Sequence, residues 1–440
     1  MRKNHILRVF GQVLSFVRGY SIHRGVLCAL LAALIFANCG IVTAHAESAP
    51  GRNQTVVISD IHLGANAAFA EIRENKPVLT KFLTQLKDSK DTAELVIAGD
   101  LMDQWFLPMD YEMPESLSIF NDEIVKNNQE IVDAINLIIK EGNIRVTYVP
   151  GNHDILFNEA EAARIFPGIN QARDAAGVGT YRASNIAVEH GHRYNIACAP
   201  DPFSNTEITG GGSILPYGYF FTRIATSSIL EGKPKSPNTI SEISPDGLDA
   251  VQMDYYKYYM SWKGYLSSLP VKESFSDKVI KTGVDGYAQP FSISDIIPSQ
   301  GEDGKLTVNL FSGLIENWPE RQSINHVPSP ISAGDAVVKA ATAEFTDAQA
   351  QTQYFDRDAS VRVVIFGHSH IATVTTSKNL EGDDVIYANS GTWIDHQPDA
   401  PSCTYVVVTP SQDGSQTAVA LYQFDANGSS ALLKEAQIDN

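Results

Sequence analysis

The sequence predicts an α/β protein with two sheets and one long, partly helical insertion, and three observations carry that expectation. From Thr55 apolar strands alternate with helical stretches: strand Thr55 to Ser59, helix Pro77 to Lys87, strand Glu94 to Ala98, one long helical period through Ile119 to Lys140, and strand Arg145 to Val149. This is the βαβα rhythm of a mainly parallel sheet. Further strands, Ile186 to Glu189, Arg362 to Phe366, Val385 to Ala388, Thr404 to Val408 and Ala418 to Tyr422, are expected to build a second sheet. Between Asn195 and about Ser360 the chain changes character, with Pro200, Pro202 and three glycines at its start and Ser, Pro, Gly and Asp in its loops. Two aromatic, helical runs lie inside it, Tyr217 to Leu230 and Leu248 to Leu269, and its length makes it an insertion or cap rather than a loop.

Five short polar groups sit beside predicted strand ends: Asp60-Ile61-His62, Gly99-Asp100-Leu101-Met102-Asp103, Gly151-Asn152-His153-Asp154, His190-Gly191-His192 and Gly367-His368-Ser369-His370. Each alone is common, but five in this order describe a centre for two metal ions. Divalent cations about 3.5 to 4 Å apart repel strongly, so they need one anionic ligand between them and neutral His and Asn ligands around. Asp100 is the natural bridge. Strand ends suit the task because the sheet fixes their backbone while side chains project into the loops where ligands gather.

The order D-x-H, G-D-x-x-D, G-N-H-D, H and G-H-x-H resembles the calcineurin-like metallophosphoesterases over about Val56 to Trp393, apart from the insertion. The resemblance implies an α-β-β-α sandwich with metals at the strand ends. It implies one metal on Asp60, His62, Asp100 and His370 and a second on Asp100, Asn152, His190 and His368. His153 would then act as general acid or phosphate-stabilising donor, oriented by Asp103 or Asp154. The two ions would be Mn, Fe, Zn or Co, all compatible with mixed nitrogen and oxygen ligation. A hydroxide bridging them would attack phosphorus in a monoester, diester or pyrophosphate. Asp103 is followed by Gln104-Trp105-Phe106, whereas protein Ser/Thr phosphatases carry Arg-Gly there and purple acid phosphatases a Tyr in place of Asp103. Asp60 to Gly64 and Gly99 to Trp105 look instead like the branch of the UDP-2,3-diacylglucosamine pyrophosphatases, which usually has Arg where His153 stands.

Neighbouring polar residues have two readings each. His192 could replace His190 as ligand, bind phosphate or cap the loop; Arg193 is a phosphate clamp or a surface charge. Asn389 to Trp393 reads as a structural turn and His396 as exposed. Aromatics of the insertion are first of all core, yet a segment leaving and re-entering between two ligand groups is placed to choose substrate. Tyr255 and Trp262 are candidate cap contacts.

Residues 1–46 carry five basic and no acidic residues, then an apolar run from Gly25 to Val42, then Ala44-His45-Ala46. This reads as a signal peptide cleaved for periplasmic or secreted export; the alternative is an uncleaved leader associating with a membrane. The remaining chain divides into core 52–195, insertion 196–360 and core 361–440. It holds 28 basic against 51 acidic residues, a net charge of −23. Nucleic acid is therefore a disfavoured partner, and a phosphorylated small molecule or lipid head group a favoured one. Cys198 and Cys403 could pair in an oxidising compartment or be two unrelated buried thiols. The alternative to an enzyme is a catalytically silent, metal-stabilised protein that holds a partner with its insertion.

Overall fold

The computed structural model describes residues 51–209, 212–282, 289–340, 342–397 and 400–440; the leader expected at 1–46, with Cys28 and Cys39, lies outside them. From β1 (Gln54–Ile58) the chain runs through α1 (Lys76–Lys87), β2 (Thr92–Ala98), α2 (Leu117–Asn127), α3 (Gln129–Glu141), β3 (Arg145–Val149), α4 (Glu159–Ile165) and β4 (Asn170–Gln171). The hairpin β5 (Tyr181–Ala183) and β6 (Ile186–Val188) follows, and then the insertion with α5 (Tyr217–Leu230) and α6 (Ala250–Ser268). The chain closes with β7 (Val363–Phe366), β8 (Thr373–Lys378), β9 (Asp384–Asn389), β10 (Thr404–Pro410), β11 (Gln416–Phe424) and β12 (Ser430–Asp439).

A seven-stranded sheet has the order β12-β11-β10-β1-β2-β3-β4, and a five-stranded sheet the order β8-β9-β7-β6-β5. The layering follows from which side chains alternate along each strand. Val57, Val96 and Val149 of the first sheet share an apolar layer with Val188, Val363 and Ile365 of the second. The neighbouring residues Val56, Ile58, Leu95 and Ile97 point the other way, into a core with Leu79 and Phe82 of α1, Phe120 of α2 and Ile135 of α3. The far face of the second sheet, with Val364 and Phe366, packs on Tyr354 and Phe355. The result is an α-β-β-α sandwich.

Two details differ from expectation. Thr404 to Val408 and Ala418 to Tyr422 do not join the second sheet: β10 runs antiparallel beside β1, with Val57 opposite Val406, and β11 and β12 extend the same sheet. The first sheet is thus parallel only from β1 to β4. The long helical period is broken at Asn128, whose backbone leaves the helix and whose Nδ2 donates to Gly64 O and Ile124 O; a helix-compatible sequence gives way there to a side chain that satisfies backbone carbonyls.

The insertion builds its own apolar core from residues such as Tyr219, Phe220, Tyr258, Trp262 and Trp318, and that core also takes in Trp105 and Met109. Tyr255 and Trp262 belong to it rather than to an open surface: Tyr255 hydrogen-bonds Glu316 and Gly313 N, and Trp262 is buried. Cys198 lies in this core and Cys403 in the core under α1, both as free thiols, so the disulfide does not form. Among the described residues no helix is long and apolar enough to cross a membrane.

Phe82 anchors α1 with its ring 5.1 Å from Trp393, 4.8 Å from Tyr405 and 5.3 Å from Phe424. Phe82→Ala should cost about 3–5 kcal/mol of stability, read as a lowered urea midpoint with unchanged slope. A loss below about 1 kcal/mol would mean that this face is not the packed core described.

Candidate metal centre

Every polar group singled out in the sequence follows the C-terminal end of a parallel-paired strand: β1, β2 and β3 in one sheet, β6 and β7 in the other. The loops after β1 and β2 are laced by backbone hydrogen bonds, Asp60 N to Gly99 O and both Ile61 N and His62 N to Asp100 O. The two-residue strands Leu63–Gly64 and Met102–Asp103 then pair in parallel, setting His62 beside Asp103. Asp60, His62, Asp100, His368 and His370 all adopt positive φ, between 51° and 65°, a region that costs a non-glycine residue energy and is held only where surroundings demand it. The glycines are equally constrained: a Cβ on Gly151 would strike the Asp100 carboxylate, one on Gly367 the Asp60 carboxylate, and one on Gly99 the His190 ring.

The side chains converge in four overlapping groups, two of which also take in His153 with His62 and Asp100, and Glu71 with His62 and Asp103; the other two hold the expected ligands. Asp60, His62 and His370 form one, with His370 Nε2 3.1 Å from Asp60 Oδ1 and 3.2 Å from His62 Nε2. Asp100, His190 and His368 form the other, and Asn152 joins through its Oδ1, 3.0 Å from His190 Nε2. Asp100 Oδ2 lies between them, 3.2 Å from His190 Nε2 and 3.7 Å from His62 Nε2. His190 Nδ1 donates to Ala98 O at 2.9 Å, which leaves the lone pair of Nε2 free for a cation. His62 Nδ1 faces Glu71 Oε2 at 3.2 Å and Asp103 Oδ2 at 3.4 Å, which turns its Nε2 to the centre. Nitrogen lone pairs and carboxylates facing one another at these distances fit a cation, and the donor set suits a divalent ion bound by His, Asp and Asn.

Electrostatics point the same way. Burial opposes charge on Asp100, yet His190, His153 and His62 outweigh it and hold the carboxyl well below its usual range. Asp60 behaves alike, with His370 and His190 overcoming burial. Burial also opposes an imidazolium at His190, but Asp100 and Asp60 push it up to about 9. His368 goes down to about 3 through burial and the nearby His190.

His153 stands beside both groups. Its Nδ1 is 3.1 Å from Asp103 Oδ1, its backbone N–H donates to Asp100 Oδ1 at 2.8 Å, and its ring stacks on Trp105 at 4.6 Å. Burial lowers its affinity for a proton, while Asp103 and Asp100 more than restore it, so the net shift is upward. Asp103 is thus the orienting carboxylate, and its Oδ1 also accepts Trp105 N and Phe106 N. Asp154 does not orient His153: its two oxygens accept Gly151 N at 2.7 Å and Leu101 N at 2.9 Å, clamping the loops after β3 and β2 together. Arg193 is no phosphate clamp, because it is buried against Glu189 Oε2 at 2.8 Å and Gly179 O at 2.8 Å. His192 is buried behind His190, its ring centroid 5.3 Å away, and lies outside the cleft. The turn Ser390 to Trp393 backs the centre, with Thr392 Oγ1 and Trp393 N donating to Asp60 O, and His396 is exposed.

Three contributors went unseen in the sequence. Glu71 faces His62, Asn195 Nδ2 lies 3.3 Å from His368 Nε2, and Asp347 accepts from Ser369 Oγ and Tyr387 OH beside the last ligand loop. None belongs to a five-group motif, and Asp347 sits in the returning end of the insertion, where no local pattern marks it. Above the centre opens a cleft of about 440 Å³, lined at its floor by Asp100, Asn152, His153, His368 and His370.

Residues 54–225 match the calcineurin-like phosphoesterase family model. The match takes in Asp60, His62, Asp100, Asn152, His153 and His190, and the fold returns His368 and His370 to the same group of side chains from beyond it. No curated protein matches the chain closely enough to count as a relative. Among solved structures, a conserved uncharacterized protein of Streptococcus pneumoniae, described as a predicted phosphoesterase, aligns at 10% identity over 89% of this chain and 100% of that one, TM-score 0.28. Vps29 of Chaetomium thermophilum aligns at 9% identity over 89% and 100%, also with TM-score 0.28. Likeness this remote transfers no activity.

Two outcomes are expected. Gly151→Ala should leave the far-ultraviolet circular dichroism near wild type but strip the protein of metal measured by elemental analysis, since the added methyl displaces Asp100; full metal content would contradict the geometry. Metal affinity should rise with pH, because a cation must displace the proton that the raised His190 holds below about 9. The gain should approach about tenfold per pH unit for each proton displaced, and calorimetric affinity unchanged between pH 6.5 and 8.5 would refute it.

Proposed function

We propose that the protein is a metal-dependent phosphoric ester hydrolase acting in the cleft above the paired His and Asp groups. The observation that carries this reading is the placing of two candidate ligand groups, with Asp100 between them, directly beside His153 at the floor of one cleft. The calcineurin-like match over residues 54–225 supports it. Asp60, His62, Asp100 and His370 would hold one ion, and Asp100, Asn152, His190 and His368 a second. Such divalent ions supply Lewis-acid activation of water and neutralise charge on phosphoryl oxygens.

The chain's own residues do the rest. Asp103 fixes His153 through Nδ1, leaving Nε2 for the cleft, and Asp103 and Asp100 outweigh burial in favouring the protonated imidazole. His153 Nε2 can therefore hydrogen-bond a phosphoryl oxygen and give its proton to the departing oxygen. Trp105 stacked on one face limits the ring to that orientation. The nature of the ester, whether monoester, diester or pyrophosphate, and export through residues 1–46 are part of this proposal and rest on the sequence.

The test is hydrolysis of p-nitrophenyl and bis-p-nitrophenyl phosphate by the Mn-loaded protein. His153→Ala should lower kcat by roughly 10²–10⁴-fold with metal retained, and Asp100→Asn should lose metal and activity together. Wild-type activity should decline as pH rises through the raised His153 pKa, since the acid is then deprotonated. A protein that carries metal yet cleaves neither ester would instead favour the partner-holding role.

A further inference from the structure

We propose that the organic group of the ester taken by this cleft is compact, uncharged and aromatic or otherwise apolar, and that Phe221 selects it together with Tyr265. The inference rests on the hydrolase reading of the same site. At about 440 Å³ the cleft has the size of a small-molecule site. Besides the groups of the centre it is lined by Asn195, Ser369 and three threonines, and its apolar lining includes Tyr217, Phe221 and Tyr265 together with Ala340, Ala343 and Ile371. Most aromatics of α6 are sealed in the insertion's core, Tyr258, Tyr259 and Trp262 at 1% exposure each. Phe221 and Tyr265 are different: they pack on each other with ring centroids 4.8 Å apart, remain half-buried, and face the cleft.

The absence of cations sharpens the argument. Among the described residues no Lys or Arg lines the cleft. The buried arginines nearby are committed elsewhere: Arg193 to Glu189, Arg223 to Pro108 O and Met109 O, Arg321 to Ala199 O and Ile196 O. One phosphoryl group can be met at the floor by the ion-holding residues and His153. A second phosphate or a carboxylate held against the aromatic and aliphatic lining would lose water and find hydroxyl and amide groups but no cation to pair with.

The experiment compares kcat/KM for phenyl, 2-naphthyl and 4-carboxyphenyl esters of phosphate, as monoesters or methyl diesters according to which the metal-loaded protein cleaves. Phenyl and naphthyl leaving groups have similar acidity, so their ratio reports the walls rather than the chemistry. The naphthyl ester should be preferred roughly tenfold or more, and the carboxyphenyl ester disfavoured despite a leaving group at least as good. Phe221→Ala, and the milder Phe221→Leu, should shrink the naphthyl preference, while Phe221→Lys should improve the carboxyphenyl ester relative to phenyl. A naphthyl to phenyl ratio near one in the wild type, or an unchanged ratio in Phe221→Ala, overturns the proposal and leaves the hydrolase reading standing. If metal-loaded protein turns over none of the esters, the hydrolase reading falls and this inference with it.

Discussion

Five loops have to aim polar side chains at one point, and three of them do it with ligand-type residues in left-handed backbone. Asp60, His62, Asp100, His368 and His370 occupy a conformation that costs each of them energy, of order 1–3 kcal/mol where it is strained. What holds them there is visible. The loop after β1 borrows the carbonyls of the loop after β2, Asp154 clamps that second loop to the one after β3, and Gly367 N donates to His190 O between the two strand ends of the other sheet. Glycines at 99, 151 and 367 let the carboxylates and the His190 ring approach closer than any side chain would permit. The centre is therefore a property of the loop ladder, and the sheets serve to hold that ladder still.

Bringing buried and half-buried carboxylates and imidazoles together makes each group's charge depend on the others. His190 and His368 show how position decides the outcome. His190 is buried and His368 half-buried at the cleft, yet His190 lies against Asp100 and is pushed up to about 9, while His368, desolvated and beside His190, falls to about 3. A cation can take over the role of those protons, and Ala98 O at His190 Nδ1 and the carboxylates at His62 Nδ1 have already turned the rings for it. Preorganisation of this kind is commonly found behind ligating histidines.

The sandwich and the five polar groups were legible because both are written locally. Strand β3 could be read to the residue from its apolar run, and each polar group stands within a few residues of a strand end. What escaped notice depends on partners far along the chain. Nothing in Thr404 to Val408 says that it will lie beside β1 rather than in the second sheet; the choice is made by the turn at Ser390 to Trp393, which packs behind Asp60 and delivers β10 there. Asn128 breaks a well-formed helical period where its side chain and that of Asn127 both donate to Gly64 O. Arg193 looked free beside two histidines, but Glu189 four residues earlier claims it. Asp154 and Asp103 could equally have served His153 on sequence alone, and only the direction of the two carboxylates separates a clamp from an orienting group.

The insertion is coupled to the centre by packing rather than by any motif. Trp105 follows directly after the Gly99 to Asp103 group, stacks on His153 and is at the same time part of the insertion's core. Gly218 in α5 is what lets that helix come so near, since a Cβ there would run into Ala197 O and approach the Trp105 ring at 3.3 Å. With α5 seated at that height, Tyr217 and Phe221, four residues apart and hence on one helical face, both reach the cleft. A change in the insertion can therefore alter the walls of the cleft without moving a ligand of the centre, whereas a change at Trp105 or Gly218 would shift wall and acid together. That separation is how a single set of strand ends can be kept while the group it accepts is varied.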